Sequence, residues 1–190
     1  MFMKSDGGLV DAEKFQGKDS ILSGSAGGIV GAVKTSLRAG FKEIITFDMG
    51  GTSTDVAHFN GEDERQIDNK IAGIRIPVPM LSIHTVAAGG SSILFFDGLS
   101  FRVGPESTGS NPGPACYRHG GPLTFTDANV MVGKIRPKYF STIFGSQKNL
   151  PLDKDIVSHK FTQLTQEFCC ATGDLTKPEK VADGCILIAI

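Results

Sequence analysis

An α/β protein is the fold class this sequence predicts, on three observations. A strand–turn–strand pattern runs from Ile44 to Phe59 around a glycine pair. Ile29, Val30, Val33 and Leu37 recur at mostly helical spacing between Ala26 and Ala39, ahead of a stop at Gly40. Two more helical stretches, from Leu152 to Ala171 and from Lys177 to Ile190, close the chain. The 190 residues, 40% of them hydrophobic, suffice for one domain, or for one domain and part of another.

In chain order, residues 1–20 form a lead-in without a defined pattern, and residues 21–190 form the organised part. Met1-Phe2-Met3-Lys4 passes into Ser, Asp and Gly instead of an apolar run, so no secretory signal is expected. Ser23-Gly24-Ser25 reads as the capping region of the first helix. A glycine-rich helix start suits an anion, because unpaired N–H groups and the positive dipole end point outward. Close helix packing through small residues explains the same glycines equally well. Gly24, Gly27, Gly28 and Gly31 do not spell G-x-G-x-x-G, and no Walker A sequence occurs, so neither a Rossmann nor a P-loop assignment is supported.

The hairpin is the most informative segment. Ile44, Ile45 and Phe47 lead into Gly50-Gly51, and Val56, Ala57 and Phe59 resume the apolar pattern beyond it. Glycines at the bend let backbone N–H groups approach an anion that a Cβ would hold away. Thr52, Ser53 and Thr54 add hydroxyls, while Asp48 and Asp55 can hold a divalent metal or its water shell. An ordinary Gly-Gly hairpin with polar turn residues would look the same.

After the hairpin come a strand near Gln66 to Ile71, an extended Ile76-Pro77-Val78-Pro79-Met80 segment, a glycine-rich loop at 84–92, and strand-like Ser100 to Val103. His84 is either a ligand or acid/base group or a plain hydrogen-bonded histidine; His58, His119 and His159 share no metal-binding spacing with it. From Gly104 to Pro122, five glycines and four prolines preclude regular structure and predict an ordered loop, with a disordered linker as the alternative. Thr126 or Asp127 is expected to cap a short helix through Gly133. The final helix ends on Cys185-Ile186-Leu187-Ile188-Ala189-Ile190, an expected exposed apolar end.

Nineteen Lys plus Arg against 20 Asp plus Glu give no electrostatic case for nucleic acid or an anionic membrane, and no apolar run approaches the ~20 residues of a membrane span. Cys116, Cys169, Cys170 and Cys185 lack zinc or redox spacing, which suits reduced thiols in the cytosol. Cys116 is either a structural or a reactive thiol.

Asp48-Met49-Gly50-Gly51-Thr52-Ser53-Thr54-Asp55 resembles the second phosphate motif of the hydantoinase A/5-oxoprolinase family. Four further blocks resemble family segments in family order: Leu22 to Gly31 (S-G-P-A-G-G), Ile83 to Ile93 (T-V-A-A-G-G-G-S), Val103 to Tyr117 (V-G-P-E-S-A-G-x-x-P-G-P-A-C-Y) and Gly121 to Asn129 (G-G-P-x-T-x-T-D-A-N). Phe95-Phe96, Tyr117-Arg118 and Ile143-Phe144-Gly145 are most similar to ATP-dependent 5-oxoprolinases. The resemblance implies part of an actin-like, sugar-kinase-like and Hsp70-like ATPase fold. It also implies ATP-driven opening of 5-oxo-L-proline to L-glutamate, as in glutathione metabolism. Hydantoin hydrolases and acetone carboxylase subunits share these blocks and are alternatives.

Carried over residue by residue, the resemblance implies that Asp48 organises Mg²⁺-bound water and Asp55 orients water or acts from behind it. Gly50, Gly51, Thr52, Ser53 and Thr54 would contact phosphate, and Gly89 and Gly90 the nucleotide. ATP, Mg²⁺ and a monovalent cation such as K⁺ are the expected cofactors. A 5-oxoproline-like cyclic amide, a hydantoinase B-like domain or subunit and a second copy of the full-length protein are the expected partners. Ser25, Ser82 and Ser91 depart from the family's usual proline, aspartate and glycine. Residues 21–190 would be a partial hydantoinase A domain, since neither the first phosphate hairpin nor a hydantoinase B-like portion is found. The expectation is a fragment, with Met1 a boundary or mispredicted start, inactive alone. Two non-enzymatic readings accompany it: a nucleotide-binding lobe that needs a partner chain, and a decayed copy.

Overall fold

The computed structural model describes residues 1–67, 69–71 and 73–189. The chain divides into two compact units, one of Met1–Asp48 with Thr54–Val86 and one of Met49–Ser53 with Ala87–Ile190.

In the first unit, β1 (Phe2–Met3) pairs antiparallel with β2 (Leu9–Val10). Ser5 ties down the lead-in: its buried hydroxyl donates to the Asp19 carbonyl and accepts from the Leu22 N–H. Helix α1 (Ser23–Arg38) starts three residues before Ala26, so Ser23, Gly24 and Ser25 lie in its first turn and do not precede it. Leu22 stands at the N-cap without a side-chain bond. The serine hydroxyls are engaged elsewhere, Ser23 with the Ser20 carbonyl and Ser25 with Asp55. The helix stops where expected: Gly40 takes φ +91°, and the N–H groups of Gly40 and Phe41 reach the Leu37 and Ser36 carbonyls.

Strands β3 (Glu43–Met49) and β4 (Thr54–Asn60) form the expected hairpin. β4 is the centre of a three-stranded sheet completed by β9 (His84–Val86), which aligns Thr54 with Val86, Asp55 with Thr85 and Val56 with His84. Ala26, Ile29 and Val33, spaced i, i+3 and i+7, bury one stripe of α1 against Ala57, Phe59 and Leu81. Each of the larger side chains, Ile29, Val33, Phe59 and Leu81, contributes about 1.5–3 kcal/mol on burial. Alternate residues of β3, Ile45 and Phe47, stay 72% and 69% exposed. Between β4 and β9, β5 (Arg65–Gln66) pairs with β8 (Met80–Leu81), and β6 (Asn69–Ile71) with β7 (Ile74–Ile76). The strand expected near Gln66 to Ile71 is thus two short ones in different pairs, and Asp68 lies outside the described residues.

In the second unit, β10 (Ser92–Phe96) and β11 (Phe101–Ser107) form an antiparallel hairpin with Phe96 opposite Phe101. β11 runs on past Gly104-Pro105 into the stretch expected to lack regular structure. Its partner β10 supplies the ladder, and a register irregularity between Ser92 and Leu94 accommodates a proline that has no N–H to give. Beyond Ser107 the chain is irregular but packed: Ala115 and Cys116 are buried, and a Cβ on Gly121 would fall 1.8 Å from the Gly113 carbonyl oxygen.

Helix α2 (Phe125–Met131) is capped by Thr124, not by Thr126 or Asp127; Asp127 is the third helical residue and closes a capping box back onto the Thr124 N–H. The fully buried Asp127 carboxylate accepts four bonds: from the N–H groups of Ala115 (3.0 Å), Cys116 (2.8 Å) and Thr124 (2.9 Å), and from the Thr124 hydroxyl (2.9 Å). Helix α3 (Lys154–Thr172) starts at Asp153, whose carboxylate takes the Asp155 and Ile156 N–H groups, and ends at left-handed Gly173. Helix α4 (Pro178–Ile188) follows; Ile190, the end of the expected helix, lies outside the described residues. These helices enclose Phe161, Val130, Val157, Ile186 and Cys185. At one side Phe168 stacks with Phe101, ring centroids 5.0 Å apart, and meets Phe96 edge-on at 5.5 Å. The exposed apolar end of α4 is present in Leu187 and Ile188, whereas Cys185 and Ile186 face inward.

All four cysteines are free. Cys116 is completely buried, and burial together with the Asp127 carboxylate pushes its thiol far up, away from the thiolate. The structural reading of this cysteine therefore holds and the reactive one does not. Among the described residues no helix is long and apolar enough to cross a membrane.

Candidate functional site

The two hairpin aspartates occupy different environments within the first unit. Asp55, second residue of β4, is clamped by two hydroxyls from opposite directions in sequence: Ser25 Oγ of α1 donates to Oδ2 at 2.6 Å and Thr85 Oγ1 of β9 to Oδ1 at 2.8 Å. Asp48, near the end of β3, is exposed, and its carboxylate makes no hydrogen bond or ion pair with a described residue. Ser25, Gly28, Thr46, Asp48 and Asp55 line one cavity of ≈ 220 Å³. A Cβ on Gly28 would stand 3.3 Å from Asp48 Oδ2, so the bare helix start leaves that carboxylate room.

The turn between the strands belongs to the second unit, where it closes on itself through the Gly50 N–H and the Ser53 carbonyl (2.8 Å). Gly90 and Ser91 hold it from below, donating their N–H groups to the carbonyls of Gly50 (2.9 Å) and Gly51 (2.6 Å). With those carbonyls engaged, the backbone N–H groups of Gly51, Thr52 and Ser53 donate to no described residue. Consecutive free N–H groups at an exposed bend make an anion-binding concavity. Gly89 and Gly90 are glycine for a packing reason: a Cβ on Gly89 would lie 2.6 Å from the Gly51 oxygen, and one on Gly90 2.8 Å from Thr126 Oγ1. Thr54 is buried as the first residue of β4.

Other sequence candidates fall out differently. His84 is exposed on β9 and its imidazole has no hydrogen-bond partner among the described residues, so the hydrogen-bonded histidine reading does not describe it. Ser82 accepts from Gln66 Nε2 at 3.0 Å. Ser91 is buried beneath the turn, where a small side chain fits in place of glycine. Sequence reasoning missed the clamp on Asp55, whose donors both lie 30 residues away with no local signal. Among the described residues no group of three or more His, Cys, Asp or Glu could cage a metal. A magnesium ion held by one or two carboxylates, water and substrate phosphates needs no such cage.

The architecture is that of an ATPase-like α/β protein shared with acetone carboxylase and a caprolactamase. The nucleotide-free structure of acetone carboxylase, described as ATP-dependent, superimposes with a TM-score of 0.80 at 26% identity, over 97% of this chain and 25% of that one. The ATP-dependent caprolactamase of Pseudomonas jessenii gives 0.76 at 29% identity, over 98% and 26%. The chain belongs to the hydantoinase/oxoprolinase family, whose model matches residues 1–190. It is 49% identical over 189 residues to 5-oxoprolinase PfmaA of Pestalotiopsis fici, covering 99% of this chain and 15% of that protein. The chain thus spans about one-seventh of the length of such relatives.

Proposed function

We propose that this chain is a phosphate-binding segment of an ATP-dependent 5-oxoprolinase. The observation that carries the reading is its 49% identity to a protein named 5-oxoprolinase across nearly every residue, against 37% over 137 residues to a caprolactamase alpha subunit and 34% over 159 residues to an acetophenone carboxylase gamma subunit. The reaction of the whole enzyme would open the 5-oxo-L-proline lactam to L-glutamate. Amide resonance makes an unstrained lactam a poor electrophile. Moving the γ-phosphoryl group of ATP onto the lactam oxygen makes that oxygen a leaving group for attack by water. Such transfer depends on positioning and charge neutralisation.

The residues present fit that task. The free N–H groups of Gly51, Thr52 and Ser53 would cradle phosphate oxygens, with Gly50 closing the turn, Thr54 anchoring its exit, Gly90 and Ser91 bracing it, and Gly89 and Gly90 leaving their backbone open to the nucleotide. Asp48, unpaired and exposed, would hold water of a magnesium ion, which supplies charge neutralisation when bound. Asp55, fixed by Ser25 and Thr85, would orient water without swinging away. K⁺ as a second cation, a hydantoinase B-like portion, dimerisation of the longer protein, residues 21–190 as its partial hydantoinase A domain, and a cytosolic place in glutathione metabolism belong to the same reading.

The test is 5-oxoproline-dependent ATP hydrolysis by the longer polypeptide that contains this sequence, with and without Asp48→Asn. The expected outcome is turnover that the substitution reduces at least a hundredfold. Equal turnover in both, or ATP hydrolysis indifferent to 5-oxoproline, would overturn the assignment of Asp48 or of the substrate respectively.

A further inference from the structure

A second cavity in the second unit lies outside everything assigned so far. It measures ≈ 550 Å³, within the roughly 300–1,000 Å³ typical of small-molecule sites. Val130, Val132 and Ile135 form its apolar part, and Arg136, Lys138 and Lys154 its polar part; no carboxylate lines it. Arg136 and Lys154 make no ion pair with a described residue, and Lys138 lies over the Tyr139 ring at 4.7 Å.

These cations gather at one opening. Lys154 is the first residue of α3, the end of a helix at which the dipole favours anions and disfavours cations. Arg136 and Lys138 add like charge around the same opening, without an acid among the lining residues to neutralise it. Single-sign charge converging on a concave apolar surface raises the local concentration of the opposite charge. Three cations around a greasy floor match a molecule that carries an anionic group and an apolar body together.

We propose that this cavity binds a small organic anion with an apolar body, a carboxylate, sulfonate or phosphate ester whose charge meets Arg136 and Lys154 and whose carbon skeleton lies on the half-buried Val132 and Ile135. The site is separate from the glycine turn and does not depend on the 5-oxoprolinase reading.

The experiment titrates the 190-residue chain with 1-anilinonaphthalene-8-sulfonate and, in parallel, with N-phenyl-1-naphthylamine, the same fluorophore without the sulfonate. Arg136→Gln, Lys154→Gln and the double variant are compared with Lys14→Gln, a change on the other unit, and all are checked by circular dichroism. Saturable binding of the sulfonate at one site per chain is expected, weakened about three- to tenfold by each single change and more by both. The uncharged dye should bind all variants alike. Sulfonate binding that ignores both substitutions would overturn the proposal, as would equal weakening of the two dyes. Because circular dichroism identifies a misfolded variant and each substitution is read separately, the result does not hinge on one protein folding.

Discussion

The β3–β4 hairpin of the first unit and the loop leading into α2 in the second each set an aspartate among glycines and threonines, yet Asp127 accepts four hydrogen bonds in complete burial while Asp48 accepts none at the surface. Asp55 stands between them with two hydroxyl donors. The difference teaches how to read a carboxylate in a glycine-rich motif. One whose lone pairs are filled by the surrounding chain holds structure together; one whose lone pairs face solvent is open to a ligand. By this measure the aspartate of Gly121 to Asn129 is architectural, and the first aspartate of the hairpin is the one left open to a ligand.

Breaking the architectural member should have the largest effect. Asp127→Asn puts an amide NH₂ where N–H donors converge and removes the charge they share, so chemical denaturation should show a loss of about 3 kcal/mol. A loss below the error of the measurement would remove the distinction altogether. Gly89→Ala comes next: its methyl meets the Gly51 oxygen and Ser53 nitrogen, both backbone, and overpacking of this kind costs about 1–3 kcal/mol. Gly31→Ala sharpens that result from the opposite side. A Cβ there meets nothing within 4 Å, and an exposed helical glycine replaced by alanine should gain about 0.5–1 kcal/mol, read as a higher melting temperature.

The smallest effect on stability is expected at Asp48 itself. Asp48→Asn should leave the melting temperature of the free chain unchanged, within about 0.5 kcal/mol, because no described group loses a partner. Under the proposed function Mg·ADP should raise that temperature for the unaltered chain, and Asp48→Asn should abolish the rise. Destabilisation comparable to that of Asp127→Asn would mean that Asp48 is architectural too.

A pH series separates the units in another way. Burial pushes the Cys185 thiol up from its ordinary 9.0 to about 11, and Cys116 is driven further in the same direction. A raised thiol pKa keeps the neutral form in the folded state. Its stabilisation is therefore full below pH 9 and is lost as pH rises through the folded value, so unfolding should become easier between pH 9 and 11. At pH 8 a thiol reagent should modify exposed Cys170 first and leave Cys116 and Cys185 untouched until the chain unfolds.

Much of this fold was legible because its signals are local. Ile44 to Phe59 alternates around a glycine pair, and α1, α3 and α4 carry apolar residues at helical spacing with Gly40 and Gly173 beyond the first two. What was illegible depends on partners distant in sequence. β10 begins at Ser92, beside three small residues that read as loop, and becomes a strand through its pairing with β11. The start of α1 was misplaced because Ser25 looks like a cap until Asp55, 30 residues on, takes its hydroxyl. For the site, the turn and both aspartates could be named from sequence, but which one is vacant could not, since that is decided by α1 and β9. The bracing role of Gly90 and Ser91 was likewise hidden, because it depends on backbone carbonyls some forty residues earlier in the chain.

Asp127 has a further consequence, in time rather than energy. The N–H groups of Ala115, Cys116 and Thr124 all end on one carboxylate. None can be freed for long while the other two hold it in place. In deuterium these three amides should therefore be among the last to exchange in the second unit, and should exchange together, as one opening event.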